Sequence, residues 1–177
     1  MSQRDSGYQR IERDSYETPE WVTLALVPHL KPGTFIWEPA CGSGKMVRPL
    51  KASGFSVLPT DISDKDHTDF LQSEGASSEG IVTNPPYALA KEFIEHSLEL
   101  MKPVPGFVAM LLRTDYDHAK TRQHLFSGCA AFAKKLVLTK RIKWFEDSTG
   151  QPSFNHAWYI WDWKHSGPPI LAYGPSN

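Results

Sequence analysis

The stretch TFIWEPACGSGKM, Thr34 to Met46, sets an apolar tetrapeptide before an acid, a proline and two glycines among small residues. Thr34–Trp37 predicts a strand and Gly44 to about Ala52 a helix, with the glycines in the turn between them. Small residues at such a turn let backbone N–H groups approach a ligand and aim the helix N-terminus at it. Two familiar phosphate-binding patterns fail on the letters. A P-loop needs Gly five residues before Gly44 and Ser or Thr after Lys45, where Pro39 and Met46 stand. The dinucleotide fingerprint needs a third glycine at the position of Val47.

Outward from this turn, short apolar runs alternate with helical patterns. Phe55–Leu58 and Gly80–Thr83 read as strands, and Leu89–Met101 as an amphipathic helix with Ile94, Leu98 and Met101 on one face. Phe107–Leu112 reads as a buried strand and Asp117–Phe126 as a helix. Leu136–Ile142 and Trp158–Trp163 close the chain as two strands joined by a loop. The expected fold is α/β, a Rossmann-like three-layer sandwich: a mostly parallel sheet with helices on both faces and a C-terminal antiparallel β-hairpin at one edge. The segment SDKDHTDFLQSEGASSEG, between Asp61 and Gly80, carries no clear strand. Residues 1–15 read as a polar arm and 16–177 as one domain, which suits a length of 177 residues.

Composition narrows the class. Hydrophobic residues make up 40%, mean hydropathy is −0.40, and no apolar run nears the roughly 18 residues that span a membrane. The N-terminal stretch has no apolar signal core, and Cys41 and Cys129 offer neither a disulfide framework nor metal spacing, so a cytoplasmic location is expected. The histidines are scattered, and no metal site is expected. Net charge is −1, but residues 113–143 hold eight Lys/Arg (113, 120, 122, 134, 135, 140, 141, 143) against two acids (115, 117), net +6, leaving −7 elsewhere. That basic third is either a footprint for a polyanion or a set of solvated lysines around a helix and a hairpin.

In open α/β sheets ligands sit beyond the carboxyl ends of the strands, so residues just after strands are the functional candidates. Asp61 lies 19 residues after Gly42, where a carboxylate grips ribose hydroxyls in nucleotide-binding folds. Asp69 and Phe70 offer an acceptor for an adenine amine and a ring to stack on its face. Glu38 would repel a pyrophosphate and suits a cationic or amino-bearing ligand. After the strand Gly80–Thr83 comes Asn84-Pro85-Pro86-Tyr87. The prolines fix φ and remove two donors, leaving a stiff turn with outward acceptors, an amide and a phenol.

Together these motifs resemble the class I S-adenosylmethionine-dependent methyltransferases, in their N6-adenine branch. Glu38-Pro-Ala-Cys-Gly-Ser-Gly44 resembles that family's cofactor loop and Thr83-Asn-Pro-Pro-Tyr87 its catalytic tetrapeptide. Tyr16-Glu-Thr-Pro19 resembles its extra cofactor motif. Leu112-Arg113, Lys140-Arg141-Ile142 and His156-Ala-Trp158 are similar to segments of small phage or prophage DNA adenine methyltransferases.

The resemblance implies S-adenosylmethionine as cofactor. Thr18, Pro19, Glu38, Ala40, Gly42 and Gly44 would touch its methionine part, with Asn84 also in contact. Asp61 would hold the ribose, Ile62 would pack under the adenine, and Asp69 and Phe70 would bind it. The Asn84 side-chain oxygen and the Pro85 carbonyl would accept from the target amine, Pro86 would stiffen the turn, and Tyr87 would stack on a base taken out of its duplex. Arg113 would contact nucleic acid, and Phe145 is open to lining the target pocket or packing a hairpin beside Trp144. His156 is expected to make a structural hydrogen bond, and Trp158, Trp161 and Trp163 to pack an edge strand.

The implied substrate is nucleic acid, DNA before RNA. The same tetrapeptide serves RNA adenine and protein glutamine methyltransferases, since both substrates carry a planar, delocalised amine. The glutamine enzymes usually place a helical domain ahead of the glycine loop, and only about 33 residues precede the first strand here. No segment is long enough for a separate target-recognition domain. Weak sequence preference is therefore expected, or a protein partner that supplies recognition. A non-catalytic module binding cofactor or nucleic acid is the remaining class, and the intact tetrapeptide and Asp61 weigh against it.

Overall fold

The computed structural model describes residues 16–65, 68–144 and 154–175. Seven strands form one sheet: β1 Phe35–Glu38, β2 Ser56–Pro59, β3 Gly80–Thr83, β4 Phe107–Arg113, β5 Phe132–Val137, β6 His156–Asp162 and β7 Ile170–Tyr173. Their spatial order is β2-β1-β3-β4-β6-β5-β7. The β1–β2, β1–β3, β3–β4 and β5–β7 pairs are parallel, and β6 runs antiparallel to both β4 and β5. The chain leaves β1 to one side for β2 and then crosses back to β3, so the order reverses between β1 and β3. In such sheets that is where ligands bind.

Helices α1 (Glu20–Leu26), α2 (Val47–Ala52) and α3 (Ala90–Met101) complete the layers. Pro19 caps α1 in an extended conformation and Glu20 complements the positive end of its dipole. Val22, Ala25 and Leu26 fall three and four apart and bury one stripe of α1. They pack with Leu50 of α2 onto the sheet face formed by Ile36, Val82, Leu111 and Trp158. On α3, Phe93, Ile94, Leu98 and Met101 cover the opposite face, against Ile81, Met110, Tyr159 and Trp161. Successive strand residues thus serve opposite layers, the period-two rule in a sheet buried on both sides. Ile94 and Met101 are 0% exposed, worth about 2 kcal/mol each in removed apolar surface.

Several sequence expectations need correction. Asp117–Phe126 is not one helix but two 3₁₀ turns, Tyr116–His118 and Lys120–Leu125. The stretch KTRQH has no apolar stripe to bury, and Asp117 is drawn into a tertiary ion pair with Lys135 at 2.8 Å. The strand expected at Leu136–Ile142 begins earlier, at Phe132, and ends at Val137. Lys134 and Lys135 disguised it, yet Lys135 is satisfied by Asp117 and the Thr114 carbonyl, and Lys134 meets His29 Nδ1 at 3.2 Å. The β5–β6 pair is antiparallel as expected, but it is not the sheet's edge. β6 is inserted between β4 and β5, and β7 adds an unexpected parallel strand outside β5. Trp158 and Trp161 therefore pack a central strand on opposite faces, donating to the Val22 and Leu125 carbonyls at 2.9 and 2.6 Å. Among the described residues between Asp61 and Gly80 there is a 3₁₀ turn, Phe70–Gln72, and no strand. The 1–15 arm and Phe145 lie outside the described residues.

Candidate active site

At the carboxyl ends of β1, β2 and β3 opens a cleft of about 830 Å³. Its floor is the turn after β1. Gly42 and Gly44 have φ of 48° and 79°, the left-handed region that favours glycine, which is why α2 starts only at Val47. Space is open where a Cβ on Gly42 would stand. Cys41 N donates to Thr60 O and Thr60 N to Glu38 O, extending the β1–β2 pairing into the loop. Asp61 then ties the loop down: its carboxylate accepts from Gly42 N at 2.9 Å and from Ser63 N at 2.8 Å.

Thr18, Glu38, Ala40 and Gly42 line the cleft from below, and Asp61, Ile62, Asp69 and Phe70 from one side. Asn84 and Pro86 close the other side. Ile62 is 53% exposed on the wall of the cleft, placed to cover a flat ligand. Asp69 caps the turn it precedes, accepting from Leu71 N at 3.0 Å. The Phe70 ring is buried against Trp37, Phe93 and His96 at 4.9–5.1 Å between centroids, so it presents an edge of core rather than a free stacking face. Pro19 and Gly44 shape α1 and the loop without lining the cleft, and Pro85, Tyr87 and Arg113 also stand outside it.

Glu38 is the electrostatic centre. It is 1% exposed, and its Oε1 accepts from Ala40 N at 3.3 Å. Burial, aided by the nearby Asp61 charge, pushes its carboxyl up to about 8, and the Thr83 hydroxyl and Ala40 N–H offset only part of this. Its Oε2 makes no hydrogen bond of ordinary geometry. A buried acid with an unmet oxygen suits a cationic or N–H-bearing ligand.

Asn84 sits where β3 ends. Its Nδ2 donates to the Tyr16 main-chain carbonyl at 2.8 Å, which fixes the amide so that Oδ1, buried, has no hydrogen-bond partner among the described residues. Sequence reasoning had not counted Tyr16 as a site residue; its place two residues before Thr18 in the extra motif was the available signal. Glu17 is held low by hydrogen bonds from Ser43 and Lys45, with Lys45 Nζ at 3.0 Å. Residues 16 and 17 thus bridge the glycine loop and Asn84.

Beyond Asn84 four rings close a circuit. Centroids lie 6.3 Å apart for Tyr16–Tyr87, 6.1 Å for Tyr87–His156, 5.3 Å for His156–Trp144 and 5.5 Å for Trp144–Tyr16. Among the described residues the structural hydrogen bond expected of His156 is reduced to a poorly aligned contact with the Phe154 backbone. The residue is 2% exposed and neither ring nitrogen makes a hydrogen bond of ordinary geometry. Burial, reinforced by the Arg113 charge, pulls its imidazole down to about 4, and the Phe154 backbone compensates only in part.

Much of the basic third is engaged internally. Arg113 pairs with Asp115 at 3.1 Å and covers the Phe154 ring, Arg122 covers Tyr116, and Lys140 lies over Trp21. Arg113 nevertheless ends β4, and Lys140, Arg141 and Lys143 follow β5, all at the rim that bears the cleft. Among the described residues no group of three or more His, Cys, Asp or Glu could hold a metal ion, and no helix is long and apolar enough to cross a membrane.

No family model and no curated protein matches the sequence. Solved structures do match. A protein described as a class I S-adenosylmethionine-dependent methyltransferase from Listeria monocytogenes superposes with a TM-score of 0.66 at 15% identity, over 94% of this chain and 68% of that one. A protein described as an RNA methyltransferase from Pyrococcus horikoshii gives 0.64 at 13% identity, over 90% and 91%. The modification subunit of a type I restriction enzyme from Vibrio vulnificus gives 0.56 at 15% identity, over 92% of this chain and 48% of that one. The likeness is one of fold: this sheet and its flanking helices have the Rossmann-like arrangement of class I methyltransferases.

Proposed function

We propose that the chain is an S-adenosylmethionine-dependent methyltransferase acting on the exocyclic amine of adenine in DNA with low sequence specificity. The observation that carries this reading is Asn84. It is the first residue of a proline-stiffened turn, lines the cleft beside the glycine loop, and holds a buried Oδ1 that has no partner among the described residues and whose orientation is set by the Tyr16 carbonyl.

The cleft fits the cofactor on its own terms. The open space at Gly42 admits a ligand against the backbone, and the buried Glu38 carboxyl, only weakly met at Oε2, suits an ammonium group. Glu38, with Thr18, Ala40 and Gly42, would hold the methionine part; Asp61, Ile62 and Asp69 would hold the nucleoside. Bound there, S-adenosylmethionine supplies an electrophilic methyl group.

The protein's own part is to make a poor nucleophile competent. The lone pair of an adenine amine is delocalised into the ring. Two acceptors on its hydrogens, Asn84 Oδ1 and the Pro85 carbonyl, favour a tetrahedral nitrogen and localise that pair. Pro85 and Pro86 keep these acceptors preorganised, so catalysis rests on positioning and electrostatics. Tyr87 would carry the extruded base by stacking. The rim cations, Arg113 among them, would contact phosphates and give salt-sensitive binding. In this reading residues 16–177 form the catalytic domain without a target-recognition domain, and a partner protein can supply recognition.

RNA adenine is the second reading. It is favoured by the likeness to the RNA methyltransferase, which this chain matches over nearly that protein's whole length. The deciding experiment is transfer of a labelled methyl group from S-adenosylmethionine to double-stranded DNA, single-stranded DNA, RNA and protein extract, followed by identification of the modified residue. N6-methyladenine in DNA alone supports the first reading, and label on glutamine or nowhere overturns both.

A further inference from the structure

His156 has no part in the chemistry above, yet its ring lies against Tyr87, the side chain proposed to carry the base. Val82, Leu111 and Trp158 belong to one core cluster and so mark one face of β3, β4 and β6. Two residues nearer the rim, the same alternation brings Asn84, Arg113 and His156 to that face. β4 separates β3 from β6, and the register carries Asn84 level with Leu111 and His156 level with Arg113, so the two stand two strand spacings and two residues apart, roughly 12 Å between their Cα atoms. A planar heterocycle held by a hydrogen bond at each end can bridge that distance. Tyr87 spans it, stacked on the His156 ring at 6.1 Å and on Tyr16 at 6.3 Å.

A buried imidazole whose nitrogens find, among the described residues, at most a poorly aligned Phe154 backbone partner costs free energy on folding. Any apolar ring would fill the space among Tyr87, Trp144 and Tyr16 without that cost. What only histidine adds is one donor and one acceptor on a flat ring. The amide oxygen of Asn84, on the far side of β4, has no hydrogen-bond partner among the described residues.

We propose that the His156 side chain hydrogen-bonds a ring nitrogen of the target adenine, fixing the base's rotation in its plane while Asn84 takes its amine. This rests on the adenine reading above. It makes His156 a base-binding residue that sets which planar amine is accepted: a purine with an accessible ring nitrogen is held, and a glutamine amide or a base lacking that nitrogen is not. The half-buried Tyr16 ring is the wall that yields as the base enters.

The test compares wild type, His156→Phe and His156→Gln on oligonucleotides containing adenine, 1-deazaadenine, 3-deazaadenine or 7-deazaadenine. Cofactor affinity is measured in parallel by calorimetry. Expected for His156→Phe is cofactor affinity within twofold of wild type and kcat/KM on adenine lowered roughly ten- to a hundredfold. His156→Gln should recover part of the loss. One deaza analogue should lower wild-type kcat/KM by a similar factor and leave His156→Phe no worse, because variant and analogue remove the same bond. Equal wild-type rates on all three analogues overturn the proposal, and that arm requires no variant to fold. Losses that multiply overturn it too. Wild type that binds cofactor but methylates no adenine overturns the adenine reading, and this proposal with it.

Discussion

Replacing Glu38 by Gln isolates the most perturbed acid of the cleft. Glu38 titrates near 4.5 in the unfolded chain and near 8 in the folded one, chiefly because burial disfavours the carboxylate. Between those values the native state holds one proton more than the unfolded state, so stability falls as pH rises, by up to about 1.4 kcal/mol per unit. His156 works in the opposite sense. Its pKa drops from 6.5 to about 4, so stability rises with pH across that window and opposes the Glu38 slope below 6.5. Above pH 6.5 Glu38 stands alone of the two. From 6.5 to 8 wild type should lose about 1.5 kcal/mol that the neutral, isosteric Gln retains. With a urea slope of about 2 kcal/mol per molar, the gap between the two midpoints should widen by roughly 0.7 M. The assay is urea unfolding of both proteins at half-unit pH steps. Parallel midpoints across pH 6.5–8 would refute the assignment of a buried, protonated acid. A cationic cofactor should also draw the proton off: calorimetry at pH 7 in buffers of different ionisation enthalpy should show proton release with wild type and none with Glu38→Gln.

Asn84→Ala should leave cofactor affinity within a few-fold and abolish methyl transfer, and unchanged turnover would remove Asn84 from the chemistry. Asp61→Ala loses the bonds to Gly42 and Ser63 that pin the glycine loop, and should weaken cofactor binding by at least roughly tenfold and lower stability by about 1–2 kcal/mol, read by calorimetry and thermal melting. Lys135→Ala leaves Asp117 without its cation beneath the loop after β4, and should cost about 2 kcal/mol in urea unfolding, where no loss would mean the pair is solvated. Binding to a polynucleotide should weaken roughly tenfold between 50 and 200 mM salt, the loss from neutralising about two phosphates, and a flat salt dependence would deny the basic rim any contact.

The parallel half of the fold was legible because β1, β3 and β4 are buried on both faces and read as bare apolar runs between turn signals. Gly80–Thr83 was placed to the residue, and β1, β2 and β4 to within one or two. The antiparallel half was not, for a physical reason. In β5 two lysines sit mid-strand, and only tertiary partners, Asp117 and His29, make a charged pair acceptable there. β7 escaped because Ile170, Leu171 and Tyr173 stay more than half exposed, leaving no burial pattern to read. At the site, the glycine loop, Asp61 and Asn84 announced themselves by residue type and spacing. His156 could be named but not interpreted: how poorly its ring nitrogens are met among the described residues is a property of the packed neighbourhood, and no letter records it.

The bond from Asn84 to Tyr16 reaches across 68 positions of chain and ends on a main-chain oxygen. Any amino acid at position 16 carries that oxygen, so the orientation of the amide is inherited from the route of the backbone and not from a side chain. Alanine scanning through the segment would pass over this contribution in silence. An ester in place of the amide linking Tyr16 to Glu17, a change of one atom that weakens the carbonyl as an acceptor, would expose it.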